Sequence, residues 1–146
     1  MNNRLFPIAA LAALPFAALG AAAIAQEGGR PYSVAMTGAA ERPGPGDPDG
    51  SGTAEFRVNA GQGRVCYTLS VSNIEPATAA HIHRAPPNAA GPVVVGLTAP
   101  TSGSSSGCAA VTRALAQELI RNPGAFYVNV HNAPFPGGAV RGQLGR

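Results

Sequence analysis

Gly52-Thr53-Ala54-Glu55-Phe56-Arg57-Val58-Asn59, then Ala60-Gly61-Gln62-Gly63, then Arg64-Val65-Cys66-Tyr67-Thr68-Leu69-Ser70-Val71-Ser72 run consecutively near the middle of the chain. In the first segment Ala54, Phe56 and Val58 alternate with Glu55 and Arg57. In the last, Val65, Tyr67, Leu69 and Val71 share one parity, while Cys66 and Thr68 share the other. Successive side chains on a strand point to opposite faces, so each segment carries an apolar face and a second, more polar one. Two such runs joined by a short glycine-rich link predict a β-hairpin.

The same pattern extends outward in both directions. Tyr32 to Thr37 alternates Tyr32, Val34 and Met36 against Ser33, Ala35 and Thr37 and predicts a short strand. Between it and the hairpin, Pro43-Gly44-Pro45-Gly46-Asp47-Pro48-Asp49-Gly50 predicts an exposed loop, since three prolines remove three amide donors. Beyond the hairpin, Ala79 to His83 and Pro92 to Leu97 predict two strands joined by a loop from Arg84 to Gly91. The β-branched run Val93-Val94-Val95 predicts burial on both faces. Thr101 to Gly107 reads as a Ser/Gly linker. Arg113 to Arg121 predicts a helix, capped by Thr112, with Leu115, Leu119 and Ile120 on one face and Asn122-Pro123-Gly124 ending it. Ala125 to His131 and Ala139 to Leu144 predict the last two strands, with Asn132 to Gly138 turning between them. There is no internal repeat. Seven or so short strands and one helix predict an all-β, antiparallel Greek-key β-sandwich or barrel, immunoglobulin-like or superoxide-dismutase-like.

The N-terminal segment reads as a signal peptide over residues 1–25. Arg4 supplies the charge, Leu5 to Leu19 the apolar stretch, and Ala23-Ile24-Ala25 the small residues of a cleavage site before Gln26. A membrane anchor is the weaker reading, because Pro7, Pro15 and many alanines depart from the roughly 20 strongly apolar residues of a spanning helix. The expected mature protein is periplasmic or secreted, with no membrane span. Residues 26–31 form a flexible start and 32–146 a single domain, enough for one core. The formal net charge is +3, and all ten basic residues are arginines. They are scattered along the chain, which gives no nucleic-acid footprint.

Cys66 and Cys108 are the chain's two cysteines. In an oxidising compartment they predict a disulfide. Closing a loop of about 42 residues would contribute roughly 3–4 kcal/mol in a chain-entropy account. Thiolate ligation of a metal is less favoured, since neither cysteine has a second ligand at metal-binding spacing.

Three histidines, His81, His83 and His131, are all that the chain contains. His81 and His83 share one strand face, and Tyr127, Asn129 and His131 share another. If those strands are neighbours, three imidazoles converge and offer copper or zinc a site with an open coordination position. The rival reading is that the imidazoles bond to nearby backbone or face a ligand. Asn129, Tyr127, Glu41 and Arg141 are candidates for surrounding groups. A solvated loop carboxylate is the default for Glu41, and a surface guanidinium, able to hold an anion over the site, for Arg141. Met36 reads as core packing rather than a copper ligand. No serine or cysteine forms a nucleophile motif with a histidine, so hydrolase chemistry and any catalytic residue are without support.

These segments together resemble the chordin-domain (CHRD) family. The resemblance rests on Gly38-Ala39-Ala40-Glu41-Arg42-Pro43, Ala80-His81-Ile82-His83, Gly91-Pro92-Val93-Val94-Val95, Phe126-Tyr127-Val128-Asn129-Val130-His131 and Pro136-Gly137-Gly138-Ala139-Val140-Arg141-Gly142-Gln143-Leu144, and it covers about residues 32–144. It implies an extracellular β domain of the small, single-domain bacterial kind. It supplies no established activity, and growth-factor binding, a property of animal chordin, does not transfer with a family. Copper/zinc superoxide dismutases are a more distant likeness through His-x-His on a barrel strand. Three histidines are too few for their two-metal centre and leave room for a single copper. The expected function is a non-catalytic binding module of the envelope or extracellular space, holding an unidentified protein or small-molecule ligand. The alternatives are a copper- or zinc-binding protein and a structural envelope protein.

Overall fold

Alternating apolar residues along the chain form eight antiparallel strands in the computed structural model, which describes residues 28–145. The signal segment 1–25 and its cleavage position lie outside the described residues. The strands are β1 (Arg30–Thr37), β2 (Ser51–Asn59), β3 (Arg64–Ser72), β4 (Ala77–Arg84), β5 (Val93–Leu97), β6 (Ser104–Ala110), β7 (Phe126–Asn132) and β8 (Val140–Gln143). One helix, α1 (Arg113–Arg121), sits between β6 and β7. All eight strands belong to one sheet in the order β5-β4-β7-β8-β1-β2-β3-β6. The sheet curls until its end strands approach. Ser105 of β6 donates to the carbonyl of Thr98, next to β5, at 2.7 Å, and Tyr67 of β3 donates to the Thr98 hydroxyl at 3.0 Å. The result is an almost closed barrel.

The β2–β3 hairpin forms as its alternation predicts, in register from Ser51↔Ser72 to Asn59↔Arg64. Its turn is held by Gln62 N–H donating to Asn59 Oδ1 at 2.9 Å, and Gly63 takes a left-handed φ of 61°. Val34, Met36, Phe56, Val65, Leu69, Ile82, Val128 and Val140 meet inside the barrel. Burial of this kind is worth about 1.5–3 kcal/mol for each large aliphatic or aromatic side chain. Met36 is a core residue, as read from the sequence. Helix α1 closes one side with Ala116 and Leu119 buried, and Leu115 N–H donates to the Thr112 cap at 3.1 Å. Among the described residues no helix is long and apolar enough to cross a membrane.

Three local expectations are corrected. The Ser/Gly stretch read as a linker contributes most of β6, which pairs with β3 along its whole length. Its small residues are needed there, because a Cβ on Gly107 would stand 2.9 Å from the Tyr67 hydroxyl. The same pairing sets Cys66 opposite Cys108, and a disulfide joins them. Second, Val93-Val94-Val95 is not buried on both faces. It lies in β5, an end strand, where Val95 is buried and Val93 is 50% exposed. Third, β1 begins at Arg30 rather than Tyr32, taking in two residues expected to be flexible, and β4 begins at Ala77 rather than Ala79.

Candidate metal centre

In β4, Ala80 and Ile82 point into the barrel core, so His81 and His83 point to the opposite, outer face. In β7, Val128 and Val130 point inward, which turns Tyr127, Asn129 and His131 outward. The register β4–β7 sets Ala79 opposite His131, His81 opposite Asn129 and His83 opposite Tyr127. Two neighbouring strands thus bring all three histidines to one patch, which meets the condition the sequence reading left open. One ligating nitrogen from each lies within 4.8 Å of the others.

The surroundings orient the rings. His83 Nδ1 lies 2.8 Å from the Gly91 carbonyl, and His131 Nδ1 lies 3.0 Å from the Pro136 carbonyl. A carbonyl only accepts, so each Nδ1 carries the proton and each Nε2 keeps its lone pair. His83 is 8% exposed, and its Nε2 is buried without a hydrogen-bond partner. A buried acceptor without a partner costs about 1–3 kcal/mol, and an ion is one way to satisfy it. His131 Nε2 stands 3.1 Å from His81 Nδ1. A shift of the His81 proton to Nε2 frees Nδ1 for a shared ion. Desolvation, and then the neighbouring imidazoles, lower the His81 pKa. Desolvation also lowers that of His131, against the opposing pull of the Pro136 carbonyl. Both rings are therefore neutral donors at neutral pH.

A second layer backs the trio. Tyr127 stacks on His83, and the Arg141 guanidinium lies over the Tyr127 ring, 3.4 Å from its centroid. Arg141 donates to the carbonyls of Ala89 at 2.9 Å and Pro86 at 3.0 Å. Gln143 donates to the carbonyls of Ala85 and Gly124, and Gly91 N–H donates to the Tyr127 hydroxyl. The loop from Ala85 to Gly91 is thereby laced across the outer face, and its last residue also fixes His83.

Arg141 and Glu41 depart from the exposed positions expected of them. Arg141 is 1% and Glu41 2% exposed. Arg141 is covered because β8 pairs it with Asn129 beneath that loop. Glu41 is hydrogen-bonded to Asn129, and burial pushes its pKa up to about 7 against the lowering effects of Asn129 and Arg141. Its carboxylate packs on Gly138, where a Cβ would overlap it at 2.2 Å. Neither Glu41 nor Arg141 stands within the group of ligating nitrogens. The sequence reading missed Gln143, although it shares a strand face with Arg141. It also missed Gly91 and Pro136, which act through backbone carbonyls that no residue type announces.

No curated protein and no solved structure matches the chain. The family model of the CHRD domain matches residues 32–144, from the third residue of β1 to the residue after β8 and well over half of the 146 residues. The two histidine strands and the Arg141-Gly142-Gln143 strand all lie inside that match, and the chain belongs to the CHRD domain family.

Proposed function

We propose that the protein is an exported, non-catalytic binding module whose outer β4–β7 face holds one copper or zinc ion through His81, His83 and His131. The carrying observation is the buried, unpartnered Nε2 of His83 within a trio of nitrogens no more than 4.8 Å apart. Bonds of about 2 Å to a common ion put ligand atoms roughly 3–3.5 Å from one another, so a small closure of the trio completes the site. Hydrogen bonds from the far side of ligating imidazoles are the usual means of fixing their orientation, and Gly91 and Pro136 supply two. Three imidazole nitrogens suit copper or zinc and leave a coordination position for water or a partner's ligand. The export reading is supported by the N-terminal segment and by the disulfide, a bond that persists in oxidising compartments.

The test is titration of chelator-stripped protein with copper(II) and zinc(II), with electron paramagnetic resonance for copper. One equivalent bound through imidazole nitrogens, and lost in the His81→Ala/His83→Ala/His131→Ala variant, is the expected result. Equal affinity in that variant would remove the proposal.

A further inference from the structure

Strand β8 is only four residues long and meets β1 at a single register pair, Thr37↔Arg141. Away from that point a hollow of about 380 Å³ opens among β1, β8 and the loop that follows β4. Ser33, Thr37, Arg42, Asn88, Arg141 and Gln143 are among the residues that line it. Two arginines line this space, and no carboxylate is among the lining residues. Glu41, which lies close to both arginines, lines a separate hollow on the other side of Arg42.

The donors divide into those already used and those still free. Ser33 donates to Glu55 at 2.6 Å, and Gln143 donates to two carbonyls. Arg141 is held by the carbonyls of Ala89 and Pro86, so its charge is immobile; Glu41 acts on it electrostatically, and among the described residues no carboxylate is hydrogen-bonded to it. Arg42 uses Nη1 alone, on the carbonyls of Ala39 and Glu41. Its remaining guanidinium N–H groups, the Asn88 carboxamide and the Thr37 hydroxyl hold no hydrogen bond among the described residues. A fixed buried cation beside a second guanidinium with unused donors is the arrangement that binds a planar or tetrahedral oxyanion bidentately.

We infer that this hollow is a second binding site, for a small molecule bearing a carboxylate or phosphate group, with Arg42, Asn88 and Thr37 as its contacts and Arg141 as a fixed charge in its wall. The volume lies within the range of small-ligand sites. The Tyr127 ring separates Arg141 from His83, so the site is distinct from the histidine trio.

The test uses the purified protein, stripped of metal by chelator and labelled for nuclear magnetic resonance. Inorganic phosphate and citrate are the probes, with glycerol as the uncharged control. Saturable shifts at the Asn88 carboxamide and the Thr37 backbone amide with either anion support the site, and the tighter of the two identifies its headgroup. Arg42→Gln should weaken binding about tenfold or more. Because Arg42 also braces two carbonyls, Asn88→Asp serves as the second variant. It puts a negative charge on an exposed loop residue at the mouth and should weaken binding comparably. The His81→Ala/His131→Ala variant, which keeps the His83 bond to the loop carrying Asn88, should bind the anions unchanged. Absence of saturable shifts up to about 10 mM of either anion overturns the inference. So does unchanged affinity in both the Arg42→Gln and Asn88→Asp variants, or loss of binding in the His81→Ala/His131→Ala variant.

Discussion

The His83 imidazole lies face to face on the Tyr127 ring, with centroids 4.7 Å apart and planes 7° from parallel. Tyr127 is thus a flat wall that confines one ligating ring, and Gly91 pins both partners through its carbonyl and its N–H. Replacing Tyr127 by Leu should free His83 to rotate and lower metal affinity about 10–100-fold, the usual effect of removing a group that supports a ligand. Tyr127→Phe, which keeps the ring, should stay near wild type. Competition with a chromophoric chelator measures both. Wild-type affinity in Tyr127→Leu would show that the stack does not position the ligand.

Glu41 makes stability depend on pH in a defined direction. Its folded pKa of about 7 lies above the ordinary 4.5. Between those values the folded protein retains a proton that the unfolded chain has released. Stability is therefore highest, for this group, below pH 4.5 and declines as pH rises through 7. The full shift corresponds to roughly 3 kcal/mol. His81 and His131, whose pKa values are lowered, act oppositely, since acid protonates them more readily in the unfolded chain. The Glu41 effect is isolated by comparison with Glu41→Gln. That variant should gain on wild type between pH 5 and pH 8, by an amount urea unfolding at the two pH values can resolve. A constant difference would mean that Glu41 titrates normally.

Gly138 should not tolerate a side chain. Its φ is 139°, and a Cβ there would overlap the Glu41 carboxylate. Gly138→Ala should cost about 1–3 kcal/mol from backbone strain before that clash is relieved. Thermal unfolding of the single variant and of Gly138→Ala/Glu41→Ala separates the two causes. Partial recovery in the double variant is expected from the second.

The Cys66–Cys108 disulfide joins β3 to β6, and neither strand is hydrogen-bonded to the histidine strands β4 and β7. Cys66→Ala/Cys108→Ala should lose about 2–4 kcal/mol of stability yet retain metal binding once folded. Parallel urea unfolding and metal titration test this. Loss of metal binding in folded, disulfide-free protein would show a coupling that the topology does not suggest.

Much of the fold is legible in the chain because it rests on local rules. Alternation from Gly52 to Ser72 requires an apolar and a more polar face whatever else is nearby. Thr112 followed by an apolar stripe, with Asn122-Pro123 beyond it, bounds a helix without help from the rest of the protein. Where partners decide, the local signal misleads. Ser104–Ala110 has no strand-like composition, and it becomes β6 because β3 presents a row of backbone groups that need a partner. Val93-Val94-Val95 has the composition of a buried strand, and its place at the end of the sheet leaves Val93 in water.

The candidate site divides in the same way. The sequence by itself determined that His81 and His83 share a face and that Tyr127, Asn129 and His131 share another, since strand periodicity is a property of the backbone alone. Only the tertiary structure decided that β4 and β7 are neighbours in the register that gathers the three imidazoles. It also decided that Glu41 and Arg141 are buried, and that Gly91 and Pro136 carbonyls hold the rings. Those outcomes depend on which backbone groups meet across the sheet and which loop folds over it. Pairing of that kind is set by the whole chain's need to satisfy its hydrogen bonds and cover its core, not by any residue's own type.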